Sequence, residues 1–175
     1  MSYVTKTHVR QALLKMKKFH YDLHALHDHY GLSMLENTGR RNILMSSVQE
    51  EFFAEALSSS YNNVTNNGRT GEPDIFVGEL DKELECKITT PTPKGGINLQ
   101  TDYRTLQKKG SLDFLYVIAD REFEKFVDKQ KLKLKIIAIE SHTHMKKYKM
   151  KDWGVGLQNF FFNRPRSPLG VQWIV

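Results

Sequence analysis

Cysteine occurs once in the chain, at Cys86, so no disulfide can close within it and a fold held by disulfide staples is excluded. A single thiol fits a reducing cytoplasm. No run of about eighteen apolar residues is present, which excludes a helical membrane span. Residues 1–10 lack the apolar stretch of a secretory signal, so a cytoplasmic location is expected. Internal repeats are absent, as are a convincing zinc cluster and a helicase motif. An acidic excess is absent too: Lys and Arg total 26 against 20 Asp and Glu, for a net charge of +6.

What is present is enough for one domain with a real core. The 175 residues are 39% hydrophobic and 26% charged, the balance of an ordinary globular chain, and too short for a second independent domain. The basic residues gather in 15–18, 94–109, 129–135 and 146–151. Such runs solubilise a surface, and they also steer a polyanion toward it. The excess alone does not identify nucleic acid. It becomes informative beside a carboxylate site, which would otherwise repel DNA.

Periodicity sets the expected elements. A loose apolar stripe through Leu13, Leu14, Met16, Leu23, Ala25 and Leu26 predicts a helix over 6–30, ended or kinked at Gly31. Asn37, Gly39 and the Arg40–Arg41 pair read as a loop. A second helix is expected over 47–58, capped by Ser46 or Ser47, with Val48, Phe52 and Ala56 or Leu57 facing the core. Residues 58–71 read as a polar loop, followed by two strands over 74–79 and 83–89 joined around 80–82. A short helix is expected over 99–108, a buried strand over 114–119, a helical turn over 121–128 and a further strand over 134–140. This order suggests an α/β fold with a mixed sheet and helices packed on it, the two parallel strands joined by a right-handed crossover through 99–108.

The hairpin carries the chemistry. Asp74 opens its first strand, and Glu85 and Lys87 lie two residues apart in the second. Strand side chains alternate, so Glu85 and Lys87 share one face while Leu84, Cys86 and Ile88 take the other. Magnesium prefers hard oxygen ligands and often keeps several waters, so Asp74, Glu85 and the Cys86 backbone carbonyl can supply its protein ligands. An ammonium such as Lys87 orients a nucleophilic water or stabilises a pentacovalent transition state. With two carboxylates beside it, Lys87 is expected to stay charged.

Pro73-Asp74, followed eleven residues after Asp74 by Glu85-Cys86-Lys87, resembles the signature of the PD-(D/E)XK nuclease superfamily. The resemblance spans residues 47–119. It implies a restriction-endonuclease-like mixed central β-sheet flanked by α-helices. It also implies Mg2+ held by Asp74 and Glu85, and Lys87 serving the attacking water. A glutamate from the preceding helix often completes such sites. Glu50, Glu51 and Glu55 are the candidates, and Glu51 is favoured. The small size is similar to type II restriction enzymes, which implies a homodimer cutting double-stranded DNA at a short palindrome, from a bacterial or phage source. On this reading 47–119 is the catalytic core of a single 1–175 domain, with 1–46 and 140–175 as dimerisation or DNA-contact elaborations. Alternatives are a structure-selective junction or repair nuclease, and a DNA-binding relative without activity.

Further substrate contacts are expected from Asn66, Asn67 and Arg69 in the polar loop, since Asn pairs with adenine and Arg with guanine. Gln100 and Tyr103 could approach the water or the DNA backbone, and Lys108 and Lys109 its phosphates. His20, His24 and His27 fall on one helix face, but surface or local packing explains them better than zinc. The Cys86 thiol is expected to point into the core as inert packing.

Overall fold

The computed structural model describes residues 3–69, 72–93, 96–102, 111–123, 133–139, 145–150, 156–161 and 171–173. Two helices come first, α1 (Lys6–His29) and α2 (Thr38–Ser58). They are followed by β1 (Val64–Thr65), β2 (Ile75–Val77), β3 (Lys82–Thr89), β4 (Gly96–Asp102) and β5 (Ser111–Ile118). The last described strands are β6 (Lys133–Ile139), β7 (Met145–Met150), β8 (Gly156–Phe161) and β9 (Val171–Trp173). The central sheet runs β1-β2-β3-β5-β8-β9, and a three-stranded sheet runs β4-β6-β7. The β3–β5 pair of the central sheet is parallel and its other pairs are antiparallel. The result is a mixed α/β fold, a central β-sheet flanked by helices.

Local chemistry explains where the helices begin and end. Thr5 caps α1, its hydroxyl accepting from the His8 amide at 3.3 Å while His8 Nδ1 accepts from the Thr5 amide at 3.2 Å. Because Nδ1 is an acceptor, Nε2 carries the proton that reaches Ser60 Oγ at 2.9 Å. Gly31, with φ of +67°, ends α1 in the left-handed conformation open to glycine.

α2 starts nine residues earlier than the apolar pattern predicts, at Thr38 rather than 47. Asn37 is its cap, accepting from the Arg40 amide at 3.0 Å. The expected loop at 37–41 is therefore the first turn of a helix, and Ser46 donates to Ile43 O within it instead of capping. A charged residue rarely lies inside a core, so Arg41 points in sequence to a loop. Here it is fully buried, and its guanidinium donates to Asp120 O at 2.9 Å, Arg121 O at 3.0 Å, the Asn42 side chain and Thr90 Oγ1. Those carbonyls and hydroxyls satisfy a desolvated cation and tie the start of α2 to the C-terminal ends of β3 and β5.

One core joins these elements. Val9, Leu13 and Met16 of α1 and Met45, Phe53 and Leu57 of α2 pack with Ile75, Val77, Leu84, Cys86, Leu115 and Val117. Fully burying each large apolar side chain contributes about 1.5–3 kcal/mol. α1 is thus built into the same core as the hairpin. Residues 140–175 include β8 and β9, which extend the central sheet. His20 is buried against Phe123, with ring centroids 5.2 Å apart. Burial, then the Arg41 charge, lowers its pKa to about 4, so it packs as a neutral ring.

The crossover is the main departure from expectation. Residues 99–102 belong to strand β4, not to a helix, and β4 pairs in parallel with β6 from Gly96↔Lys133 to Asp102↔Ile139. Ile97, Leu99 and Thr101 alternate with Asn98, Gln100 and Asp102, a period of two that suits a strand. The rest of the expected helix, 103–108, and residues 124–128 of the expected turn lie outside the described residues. The strands expected over 114–119 and 134–140 match β5 and β6.

Candidate active site

The β2–β3 hairpin is tighter than a simple loop. A 3-10 turn over Gly78–Leu80 follows β2, and Asp81 adopts the left-handed conformation before β3 begins. Ile75 pairs with Leu84 and Phe76 with Glu83. That register sets Asp74 opposite Glu85. Leu84 and Cys86 are buried in the core, and Glu85 and Lys87 are partly exposed on the other face.

The three side chains meet. Lys87 Nζ lies 3.6 Å from Asp74 Oδ2 and 3.4 Å from Glu85 Oε2. The Cys86 amide donates to Asp74 Oδ2 at 2.7 Å, which fixes one carboxylate oxygen against the β3 backbone. The side chains of Asp74 and Glu85 are 25% and 18% exposed and that of Lys87 is 41% exposed, so the ammonium forms the open side of the cluster. Partly exposed ion pairs of this kind contribute about 0–1 kcal/mol. Lys87 is therefore easily displaced from the carboxylates by a stronger cation.

The helix carboxylate facing this cluster is Glu50. Burial, then Asp74, raises its pKa to about 7, with Lys87 opposing and Glu85 adding to the rise. Glu51 is exposed and accepts from Asn66 Nδ2 at 3.4 Å, and Glu55 is ion-paired with Lys15. Neighbouring Gln49 sets the roll of α2: buried, it donates from Nε2 to Leu115 O at 3.0 Å and to Lys87 O at 3.3 Å. It thus bridges the parallel strands and aims the next residue at the hairpin.

The other expected contacts are scattered. Asn67 Nδ2 donates to Glu72 at 3.2 Å, and the Arg69 amide donates to Asn67 Oδ1 at 3.0 Å, so the loop after β1 is held by its own polar groups. A groove of about 200 Å3 lined by Thr65, Asn67, Glu72, Pro73, Phe76 and Glu83 runs along the Phe76–Glu83 row, next to the Asp74–Glu85 row. Gln100 falls in β4, in the second sheet. Tyr103, Lys108 and Lys109 lie outside the described residues. The Cys86 thiol is buried, and burial followed by the Asp74 charge pushes its pKa well up, so it is no nucleophile.

A divalent metal fits this donor set as a partly hydrated ion rather than a caged one. Among the described residues no three His, Cys, Asp or Glu side chains form a ready metal cage. Magnesium does not need one, since it commonly binds through one or two carboxylates with waters and substrate phosphates. Asp74 and Glu85 already converge on a cation, and burial together with the charge of Asp74 and Glu85 keeps Glu50 easily protonated. Both are conditions that added positive charge would relieve.

Comparison with family models, curated proteins and solved structures gave no match to the chain. Among the described residues, no helix is long and apolar enough to cross a membrane.

Proposed function

We propose that this chain is a Mg2+-dependent endonuclease for double-stranded DNA, of the type II restriction kind, with a restriction-endonuclease-like core and a homodimer as its working form. The observation that carries the reading is the convergence of Asp74, Glu85 and Lys87, with Lys87 within 3.6 Å of both carboxylates. Two further features support it. α2 supplies Glu50 to the same cluster, and the succession of α2, hairpin and a strand β5 parallel to β3 supports it as well.

Each residue then has a task. Asp74, fixed by the Cys86 amide, and Glu85 would hold the metal. When bound, the metal supplies positive charge that neutralises the phosphate and acidifies a water. Lys87, freed from the carboxylates, orients that water for in-line attack and stabilises charge on the phosphoryl oxygens. The water oxygen bonds to phosphorus as the bond to the 3′ oxygen breaks. The leaving alkoxide takes a proton from solvent, giving 5′-phosphate and 3′-hydroxyl ends. Glu50, with its pKa near neutral, is suited to relay a proton from the water.

Incubating sequence-diverse linear duplex DNA with the protein and Mg2+ tests the reading, with EDTA and Lys87→Ala as controls. Discrete fragments from the wild type alone are expected, with Asp74→Ala, Glu85→Ala and Lys87→Ala slowed by at least about a hundredfold. Folded protein that leaves duplex DNA intact overturns it, and branched DNA is then the next substrate to try.

A further inference from the structure

Beside the carboxylate row lies a group that the reaction above leaves without a task. In β5, Phe114 stands opposite Glu85 and Tyr116 opposite Lys87. Residues in register across a parallel pair project from the same face, so Tyr116 rises from the side of the sheet that carries Glu85 and Lys87. Tyr116 is 3% exposed, and its ring lies nearly parallel to that of Phe114, with centroids 5.8 Å apart and 11° between planes. The stack gives the phenol a fixed direction. Its hydroxyl is buried and, among the described residues, has no hydrogen-bond partner.

That hydroxyl is costly where it stands. A buried donor without an acceptor destabilises the fold, and phenylalanine would fill the same space without it. Burial, then the negative charge of Glu85, holds the phenolic proton far more firmly than usual, so the group is a donor lacking an acceptor. Among the described residues, the carboxylate whose charge reaches it is Glu85, which leans instead on Lys87 at 3.4 Å.

We propose that Tyr116 is the positioning residue for Glu85: once a divalent cation displaces Lys87 from the carboxylates, the Tyr116 hydroxyl donates to Glu85 and fixes which oxygen faces the cation. This rests on the nuclease reading of the site. The ground state keeps the donor unsatisfied, and cation binding satisfies it. Groups that orient a metal-binding carboxylate typically account for 10–100-fold in affinity.

Calorimetric titration of the full chain with Mn2+ alone, beside thermal unfolding, tests this in the wild type, Tyr116→Phe and Glu85→Ala. The expected result is one Mn2+ site lost in Glu85→Ala and weakened about tenfold in Tyr116→Phe, with the phenylalanine variant melting at the same or a higher temperature. Unchanged Mn2+ affinity in Tyr116→Phe, with Glu85→Ala still abolishing the site, overturns the role of Tyr116 and leaves the nuclease reading standing. A lower melting temperature in Tyr116→Phe makes the hydroxyl a structural group and likewise overturns it. No Mn2+ site that depends on Glu85 sinks the nuclease reading, and this proposal with it.

Discussion

Glu50 is a carboxyl whose position works against folding at neutral pH. Its pKa is raised from 4.5 to about 7, burial first and Asp74 second. As pH rises from 4.5, the unfolded chain releases this proton while the folded protein keeps it until about 7, so the unfolded state binds fewer protons and stability falls across that window. Above 7 the loss is complete and constant. Glu50→Gln removes it. Urea unfolding is expected to show the variant more stable by roughly 1–2 kcal/mol at pH 8 and unchanged at pH 4, below the ~3 kcal/mol of the full shift because the carboxyl is partly solvated. DNA cleavage by the same variant is expected to be slower. The sequence made Asp74, Glu85 and Lys87 readable because strand alternation needs no knowledge of neighbours. It did not separate Glu50 from Glu51. A stripe drawn through Val48 and Phe52 rolls α2 by one residue from the buried line of Met45, Gln49, Phe53 and Leu57, and that single step swaps which glutamate faces the hairpin. Tyr116 was hidden for a different reason. Inside an apolar run its ring reads as core, and a missing hydrogen bond leaves no mark in sequence.

Between β2 and β3 the backbone leaves no room for a side chain at one point. The Gly78 amide donates to Asn63 O at 2.9 Å, and a Cβ on Gly78 would sit 2.9 Å from that same oxygen and 3.0 Å from Asn63 Cβ. Asn63 itself holds a left-handed φ of 56°, which limits how it can yield. Gly78→Ala is therefore expected to cost about 1–3 kcal/mol, read as a lower melting temperature, and to weaken Mn2+ binding because the turn sets the Asp74–Glu85 register. The hairpin was legible as an element because its two apolar runs are short and flanked by turn residues. β4 was equally legible in its alternation of Ile97, Asn98, Leu99 and Gln100, yet a parallel connection raised the expectation of a helix. The pairing that settles it, with β6, lies more than thirty residues away. Gly39 and two arginines resemble a loop, which hides the first nine residues of α2. The carbonyls after β5, the Thr90 hydroxyl after β3 and the Asn42 side chain explain Arg41.

Taken whole, the molecule carries a charge of +6. If DNA is its substrate, the affinity of the uncut complex must fall with salt. With the Glu85→Ala protein, log affinity is expected to decline linearly with log salt, by about 0.9 per phosphate contact. A flat dependence in a filter-binding series would count against a polyanion ligand. The mixed sheet was inferable from the succession of helix, hairpin and strand, whereas the outer strands β8 and β9 were not, since they join the sheet by pairings remote in sequence. Remoteness has a further consequence at the first described residue. Tyr3 donates to Asp113 Oδ2 at 3.0 Å, and the Tyr61 hydroxyl donates to Tyr3 O at 2.9 Å. During synthesis both helices leave the ribosome before the strand that holds Tyr3 exists. At ~5–20 residues per second, roughly 60 residues separate the end of α2 from the end of β5, a wait on the order of 3–12 s. Over that interval the core of α1, α2 and the hairpin lacks Leu115 and Val117 of β5, and the exposed apolar surface makes the newborn chain a natural client for a holding chaperone.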